Sequence, residues 1–401
     1  MYRKMIIPAL LLIFLCSSFP FRSPAAAESS GGFVMEEEDV DITTMIEVAQ
    51  EEKAKEKKDS DGAYIMTVTC TGDFTIGKDM NHKDLFSPEL KKNGDDINFV
   101  MQNVRELFME DDLTIVNFEG TLTDSRYKPA GKTKDDFLFS ISPSYVSVLP
   151  DNGVEAVSLD NNHVRDHGEE GLADTKAALE NAGVIYSTPL EIGVYDYKGM
   201  IQVAMLSYNC IDRYGDGFKK ERFRSEYRED FLQHDTFEEA VCADIARAKE
   251  MYPLVIVSFH WGIEKRYTPT ENQVRLGRMA VDAGADLVIG THSHRIQPIE
   301  LYNGKLICYS LANFCFAGNS KPSDMSSIIF QARYRVKDGN VSYKDFRIIP
   351  IRISSTKDRN NFIPYIYTSG YEQDSVLIAL KDNSKNLTYA VQDYPLEFDS
   401  P

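Results

Sequence analysis

Five short polar clusters follow apolar, strand-like stretches of the chain, and each contains a side chain that can bind a metal or carry a proton. In chain order they are Gly72-Asp73, Asn117–Gly120, Asn161–His163, His260–Glu264 and Gly290–His294. Carboxylate, amide and imidazole groups of this kind favour Mn, Fe, Zn or Mg over copper or an iron–sulfur cluster. A bridging carboxylate can hold two such cations about 3.5–4 Å apart for an in-line displacement, and a neighbouring histidine can protonate the leaving group.

Each cluster also has an ordinary structural explanation when it is taken alone. Gly72-Asp73 could form a turn, Glu119 could be a surface carboxylate, and Asn161–His163 could begin a helix. His260 beside an aromatic residue could be a core histidine. His292-Ser293-His294 is the least ambiguous cluster, because an extended chain directs alternate side chains to the same face. The repeated placement of all five clusters after apolar runs favours one shared site.

Strand-like and helix-like stretches alternate from Tyr64 onward. The predicted strands are Tyr64–Cys70, Leu113–Phe118, Val154–Leu159, Ile201–Tyr208, Leu254–His260, Asp286–Ile289 and Leu306–Ser310. The predicted helices are Ile97–Met109, Gly168–Ala182, Thr236–Met251, Glu271–Ala283 and Glu372–Lys385. A hairpin is predicted from Ser326–Val336 and Val341–Ile353, with Asp338-Gly339 as its turn. This alternation predicts an α/β fold with much parallel pairing, in which ligands collect at the carboxyl ends of the strands.

The amino terminus predicts export. Arg3 and Lys4 precede the apolar run Ile6–Cys16, and Ala25–Ala27 offers a cleavage site, so residues 1–27 have the pattern of a signal peptide. The run is shorter than the ~20 residues of a membrane span, and an uncleaved segment that associates with the membrane is the alternative. We expect an acidic, disordered spacer over 28–62, a folded domain over 63–386, and a tail over 387–401.

Charge and cysteine content narrow the class of protein. The formal net charge of −18 disfavours binding to nucleic acid or to an anionic lipid surface. It also repels a polyanionic substrate, unless bound metal reverses the charge locally. The five cysteines beyond the predicted signal peptide form no CxxC pair, and we expect them to be buried as small apolar residues.

Several segments resemble the CapA family of capsule and poly-γ-glutamate synthesis proteins, which belongs to the calcineurin-like metallophosphoesterase superfamily. They are Thr71–Gly77, Thr114–Thr121, Ser158–Gly168, Phe259–Glu264, Val288–Glu300 and Tyr309–Phe316. The resemblance extends over roughly residues 64–386. It implies a four-layer αββα sandwich with a centre for two divalent metals, Mn, Fe or Zn, at one edge.

The same resemblance implies roles for individual residues. The implied metal ligands are Asp73, Glu119, Asn162, His260, His292 and His294, among which Glu119 would bridge the two cations. Asp73 and His294 would complete one metal position, and Asn162, His260 and His292 would complete the other. His163 would be the general acid, oriented by Asp166 or Asp160. Glu264 would lie near the ligands or face the substrate.

The chain departs from the family pattern at a few positions. Thr75 stands where the superfamily's first motif has a metal-binding histidine, so the first metal position could be weak or differently completed. Asp160 replaces a small residue and adds negative charge. Ser293 and Ala312 replace a proline and a glycine. The stretch Phe137–Pro143 contains no Arg or Lys that could contact a substrate anion.

These features predict an extracellular or cell-surface bacterial protein that serves the synthesis, export or attachment of an anionic polymer, poly-γ-glutamate or capsule. Its expected partners are that polymer or the subunits of its synthase, and not nucleic acid. One alternative is a secreted metal-dependent phosphoesterase. Another is a non-catalytic subunit that binds the polymer or the synthase. Substitution of His163 separates the enzymatic hypotheses from the non-catalytic one.

Overall fold

A computed structural model describes residues 58–129, 132–211, 213 and 225–399. The predicted signal peptide and residues 28–57 of the predicted spacer lie outside this part of the chain. The last spacer residues pair with the folded body, because Arg335 forms ion pairs with Asp59 and Asp61. Within the described residues, no helix has the length and apolar character needed to cross a bilayer.

Two β-sheets form the centre of the fold. The first contains β1 (Tyr64–Thr75), β3 (Leu113–Phe118), β5 (Ala156–Ser158), β6 (Ile185–Ser187), β13 (Asn313–Phe316), β14 (Ser326–Lys337), β15 (Asn340–Arg352) and β16 (Tyr365–Ile366). The second contains β7 (Gly193–Tyr197), β8 (Ile201–Asn209), β9 (Leu254–His260), β10 (Leu287–Thr291), β11 (Ile296–Tyr302) and β12 (Lys305–Leu311). The short strands β2 (Lys78–Asp79) and β4 (Phe139–Ser140) pair separately.

Parallel strands occupy the middle of both sheets. The order β1-β3-β5-β6 is parallel throughout, as is β8-β9-β10-β12. Antiparallel strands complete the edges: β14, β15 and β16 beyond β1, and β7 and β11 on the second sheet. The parallel segments therefore bring the polar clusters that follow their strands to one edge of the sandwich.

Among the described residues, five of six α-helices cover the outer faces of the two sheets, and the last one packs against β11 with Val376 and Leu380 in the core between the sheets. The six helices are α1 (Phe86–Lys92), α2 (Arg105–Met109), α3 (Gly168–Ala182), α4 (Phe237–Met251), α5 (Glu271–Asp282) and α6 (Gly370–Asn383). Capping boxes begin α4 at Thr236 and α5 at Thr270. Short 3₁₀ helices occupy Ile97–Met101, Pro143–Val148, Pro150–Asn152 and Phe231–Gln233.

Three apolar clusters define the layers. Met66 and Val68 of β1 pack with Met205 and Ile256 of the second sheet, which places one core between the sheets. A second cluster joins the outer face of the first sheet to α3, and a third joins the outer face of the second sheet to α4 and α5. This arrangement confirms the four-layer αββα sandwich.

Most predicted elements are confirmed, including the hairpin with its turn at Asp338-Gly339. The single helix predicted over Ile97–Met109 is wrong. It divides into the first 3₁₀ helix and α2, because Val104 adopts a φ of −124° and Asn103 donates to the carbonyl of Pro364 at 2.9 Å. Four of the five cysteines, Cys70, Cys210, Cys308 and Cys315, are buried, as expected.

The residues of the predicted tail pack first along the second sheet and then along β15 of the first sheet, where the amide of Ile348 donates to the carbonyl of Pro395 at 2.8 Å. The amide of Leu301 donates to the carbonyl of Tyr389, and that of Val391 donates to Ile299 of β11. Tyr394 is buried in the core between the sheets. At least residues 387–399 therefore contribute to the packing of the sandwich.

Candidate metal centre

The six predicted metal ligands converge at the edge where the parallel strands end. Three come from the first sheet: Asp73 near the end of β1, Glu119 after β3, and Asn162 after β5. The other three come from the second sheet: His260 ends β9, and His292 and His294 follow β10. Four of the six are buried, His294 is half-buried, and Asn162 is exposed. The site is thus assembled where the two sheets face each other.

The first group of ligands contains Asp73, Glu119 and His294. One ligand atom of each lies within 4.8 Å of the others. His294 Nδ1 is 3.0 Å from Asp73 Oδ2 and 2.8 Å from Asn313 Oδ1. Asn117 Nδ2 donates to Asp73 Oδ1 at 2.7 Å and fixes the carboxylate from the other side. A carboxylate pair with one imidazole is a suitable donor set for a divalent cation.

The second group contains Asn162, His260 and His292. His260 Nε2 lies 2.7 Å from Asn162 Oδ1 and 3.0 Å from His292 Nδ1. The same nitrogen is 3.7 Å from Glu119 Oε1. Thr291 Oγ1, at 3.0 Å from His260 Nδ1, occupies the opposite side of the ring. Glu119 therefore contacts both groups of ligands, which is the arrangement a bridging carboxylate requires.

Glu119 provides the test of whether these residues fit a metal. Its side chain is completely buried, and neither carboxylate oxygen accepts a hydrogen bond within the described part of the chain. Burial, followed by the neighbouring Asp73 carboxylate, raises its pKa well above 4.5. A buried carboxylate without hydrogen-bond partners is costly, because it has lost water without gaining hydrogen bonds in exchange. Divalent cations on both sides would satisfy it, so the residues present fit the predicted centre.

The histidines of the site have opposite electrostatic environments. Burial lowers the pKa of His260 well below 6.5 and that of His292 to about 4, with neighbouring histidines adding to both effects. Burial also opposes the charge on His294, but the Glu119 and Asp73 carboxylates outweigh it and raise the pKa to about 9. His260 and His292 are therefore neutral at pH 7, the form in which imidazole binds a metal.

The predicted acid pair is present beside the ligands. His163 Nδ1 is 2.8 Å from Asp166 Oδ2, and His163 Nε2 is 4.0 Å from Glu119 Oε1. Asp166 is completely buried, and its other oxygen accepts from Lys132 Nζ at 2.8 Å. Burial would raise the pKa of Asp166, but His163 and Lys132 together lower it. Asp166 therefore remains a carboxylate that orients the His163 ring, with Nε2 toward the centre.

Asp160, the other residue predicted to orient His163, has a different partner. Its Oδ2 accepts from the backbone amide of Asn209 at 2.6 Å, and burial raises its pKa to about 6. Thr75 is buried, and its hydroxyl donates to the carbonyl of Glu119 at 2.7 Å. Thr75 therefore positions Glu119, and it does not take over the metal-binding role of the histidine that the superfamily's first motif has at this position. Glu264 is exposed on the loop after β9.

Comparison with known proteins assigns the chain to a family. The bacterial capsule synthesis protein PGA_cap family matches residues 67–318. The chain belongs to the PGA_cap family. It is 29% identical to the PGA biosynthesis protein CapA of Bacillus subtilis (strain 168) over 306 residues, 75% of each chain. It is 26% identical to the capsule biosynthesis protein CapA of Bacillus anthracis over 343 residues, 83% of this chain and 77% of that protein.

Among solved structures, the calcineurin-like phosphoesterase YfkN from Bacillus subtilis matches with a TM-score of 0.41 and 16% identity. That match covers 80% of this chain and 100% of the other.

Close backbone contacts hold the site of this PGA_cap protein together. A Cβ added to Gly72 would lie 1.8 Å from the Ala312 carbonyl oxygen, which accepts a hydrogen bond from the amide of Asp73. Ala312, His292 and His294 all have positive φ angles, of 63°, 85° and 51°. The prediction of an extended conformation at His292–His294 is therefore wrong, because both histidines lie in a turn. Such strained residues are typical of functional sites.

Sequence reasoning missed several residues of the site. Lys132 contacts Asp166, Asn117 contacts Asp73, and Asn313 contacts His294. Lys132 lies outside the recognisable motifs, and the two asparagines lie beside more conspicuous motif residues. Phe139 lies 4.7 Å from the His163 ring, between ring centroids, and Phe316 lies 5.1 Å from His294. These two aromatic rings contact each other, with centroids 5.7 Å apart, and form an apolar wall beside His163 and His294. In the sequence, the phenylalanines of Phe137–Phe139 were the one indication of this apolar wall.

Proposed function

We propose that this PGA_cap protein is exported and acts, at the outer face of a bacterial membrane, on an anionic surface polymer such as poly-γ-glutamate or a capsule polysaccharide. The pattern of residues 1–27 supports export, and the family supports the polymer class. The observation that carries a metal-dependent activity is Glu119, buried without a hydrogen-bond partner among the described residues and between two groups of ligand atoms.

The reaction class follows from the residues around Glu119. Asp73, His294 and Glu119 would hold one divalent cation, and Asn162, His260, His292 and Glu119 a second. Bound cations of this kind activate water or polarise a phosphoester or amide group. The chain itself supplies the proton, since Asp166 holds Nδ1 of His163 and leaves Nε2 directed at the centre. We therefore propose His163 as the general acid and Lys132 as the residue that keeps Asp166 charged.

Elemental analysis of protein purified without chelators tests the metal centre. We expect close to two divalent metals per chain, and a large loss of metal in the His260→Ala variant. One metal per chain would indicate that Thr75 leaves the first position incomplete. Absence of metal from both proteins would contradict the metal-dependent activity and favour a non-catalytic subunit. Exposed Glu250→Gln, on the outer side of α4, is the matched control and should retain the metal of the parent protein.

Substitution of His163 tests the catalytic role separately. We expect His163→Ala to keep its metal and to abolish polymer production in a strain that depends on this protein. The control is His234→Ala, since His234 lies in a polar stretch outside the site. If His163→Ala supports normal polymer production, the enzymatic proposal is wrong, and the protein acts by binding the polymer or its synthase.

A further inference from the structure

Arg295 is a buried cation that directly follows the predicted metal ligand His294. The residue is 7% exposed, and its Nη1 donates to the carbonyl of His294 at 2.6 Å. The guanidinium therefore lies against the backbone of the metal-binding turn, at the edge of the sandwich where the ligands converge. It is not one of the six predicted ligands, and it takes no part in the contact of His163 with Asp166.

No carboxylate pairs with Arg295. Four arginines of the described chain are buried, and three of them form ion pairs: Arg213 with Glu226, Arg333 with Asp345, and Arg352 with Glu372. Arg295 forms no ion pair with any residue that the structure describes, and its Nε has no hydrogen-bond partner there. A buried charge without a counter-ion is costly. An anion supplied by a ligand would remove this cost.

The cover over the guanidinium is formed by two surface loops. Nη2 of Arg295 donates to the hydroxyl of Ser323 at 2.6 Å, on the loop between β13 and β14. The ring of Tyr267, on the loop between β9 and α5, has its centroid 5.6 Å from Cζ. Ser323 and Tyr267 are both exposed. A ligand therefore reaches Nε and Nη2 by displacing the Ser323 hydroxyl, which exchanges a neutral acceptor for a charged one.

Two other arginines of the chain show how these donors hold a carboxylate. Arg278 binds Glu300 through Nε and Nη2, and Arg333 binds Asp345 through the same two atoms. In Arg295 the Nε donor is unused, and Nη2 contacts only a hydroxyl. The guanidinium thus has the two parallel donors that match one planar carboxylate.

One carboxylate lies near Arg295 without pairing with it. Asp324 Oδ2 accepts from the hydroxyl of Tyr267 at 2.8 Å, and its Oδ1 accepts from the amide of Ser326 at 2.8 Å. Both oxygens of Asp324 are therefore occupied. Asp324 and Arg295 contact the same Tyr267 side chain but form no ion pair with each other. Asp324 offsets part of the local positive charge and leaves Nε of Arg295 without a partner.

We propose that Arg295 binds a carboxylate of the polymer beside the metal centre and thereby fixes which unit of the polymer meets the metals. This inference rests on the proposed function, which supplies both the polymer and the centre. Residues Phe137–Pro143 include no Arg or Lys, and Lys132 pairs with Asp166. Arg295 supplies a cation from the second sheet instead. In a γ-linked glutamate chain every amide has a carboxylate close by, so both groups can be held at once.

Binding of two fluorescently labelled oligomers to the full chain, incubated with Mn²⁺ and measured by anisotropy, tests the proposal. One is a short γ-linked glutamate oligomer, and in the other the free carboxylates are converted to amides. Arg295→Met should weaken binding of the carboxylate oligomer about tenfold, the loss of one charge-assisted contact. It should leave binding of the amide oligomer unchanged. Arg105→Met, which removes an exposed arginine from α2, is the matched control and should change neither affinity.

Urea unfolding of the same variants separates substrate binding from a structural role. Replacing a buried, unpaired charge with an apolar side chain of similar volume is neutral or stabilising. Arg295→Met should therefore keep the urea midpoint of the parent protein or raise it. A structural link between His294 and Ser323 predicts a lower midpoint and equal weakening of both oligomers, and that result would overturn the proposal. Arg295→Lys keeps the charge without the paired donors, so its affinity for the carboxylate oligomer should lie between those of the parent and Arg295→Met.

Metal content is measured on the same samples, so that the two proposals can fail independently. Unchanged affinity of Arg295→Met for the carboxylate oligomer would overturn the role of Arg295. Equal weakening by Arg295→Met and Arg105→Met would do the same, because the effect would then be one of net charge. Failure of the parent protein to bind the carboxylate oligomer would also overturn it. Absence of metal, together with the expected loss in Arg295→Met, would instead refute the metal centre and leave the carboxylate site supported.

Discussion

Replacing Glu119 with glutamine should have opposite effects on stability in the absence and in the presence of metal. Glu119 is buried, and neither of its oxygens has a hydrogen-bond partner in the described chain. An unsatisfied buried group costs about 1–3 kcal/mol, and more when it is charged. Glutamine has the same shape without the charge. In metal-free protein at pH 7, Glu119→Gln should therefore raise the free energy of unfolding by about 1–2 kcal/mol.

Divalent metal should reverse this order. A cation at about one hundred times its Kd stabilises the folded protein by about 2.7 kcal/mol. The parent protein should gain this amount, whereas Glu119→Gln should gain much less because it lacks the bridging charge. The parent protein should then be the more stable by about 1 kcal/mol. The order of the two free energies of unfolding reverses because the buried carboxylate destabilises the metal-free protein and stabilises the protein when it lies between cations.

Urea unfolding, with EDTA or with Mn²⁺, measures both free energies. Glu250→Gln is the control, because Glu250 is exposed on α4 and should change stability little under either condition. The pH dependence gives a second check. Because burial raises the pKa of Glu119, the metal-free parent loses stability as pH rises above 4.5, and the variant should lack this component. A metal-free variant that is no more stable than the parent, or one that gains equally from Mn²⁺, would refute the reasoning.

Three further outcomes are expected. Gly72→Ala should lower the free energy of unfolding by at least about 3 kcal/mol and should also lower the metal content, because the new Cβ would lie 1.8 Å from a backbone oxygen. The control Gly370→Ala places its Cβ in open space and should change neither quantity. Lys132→Met should cost about 2 kcal/mol in urea unfolding, and much less in an Asp166→Asn background, where no buried charge is left unpaired. Burial raises the pKa of Asp111 to about 8 from 3.8, so stability should fall as pH rises between these values. Asp111→Asn should remove up to about 1.4 kcal/mol per pH unit of that slope, measured by unfolding at a series of pH values.

The elements that carry local signals could be predicted from the sequence. Leu113–Phe118 and Leu254–His260 are predominantly apolar runs, and both strands have the predicted bounds. Helix α3 begins and ends as predicted, with Gly183 in the left-handed conformation after it. The convergence of the six ligand residues also followed from their positions after apolar runs, because parallel strands end at a common edge.

Other features depend on contacts between distant parts of the chain. The short edge strand Gly193–Tyr197 has half-exposed residues and no apolar run, so its pairing with β8 gives no clear sequence pattern. The contact of Lys132 with Asp166 spans 34 residues. The close approach of Ala312 to Gly72 joins the two sheets, and it is set by tertiary packing alone. These details decide which carboxylate orients His163 and why the ligand turn is strained.

The division of ligands between the sheets has a consequence for how the protein matures. Asp73, Glu119 and Asn162 come from the chain up to residue 162, and His260, His292 and His294 come from residue 260 onward. Cations held by both sets would act as a non-covalent cross-link between the two halves. Neither half alone offers the full set of predicted ligands, so a centre built from both sets could load only after long-range pairing of the halves is complete. In an exported chain, loading would follow translocation, and metal content would report the fraction of molecules that had finished folding.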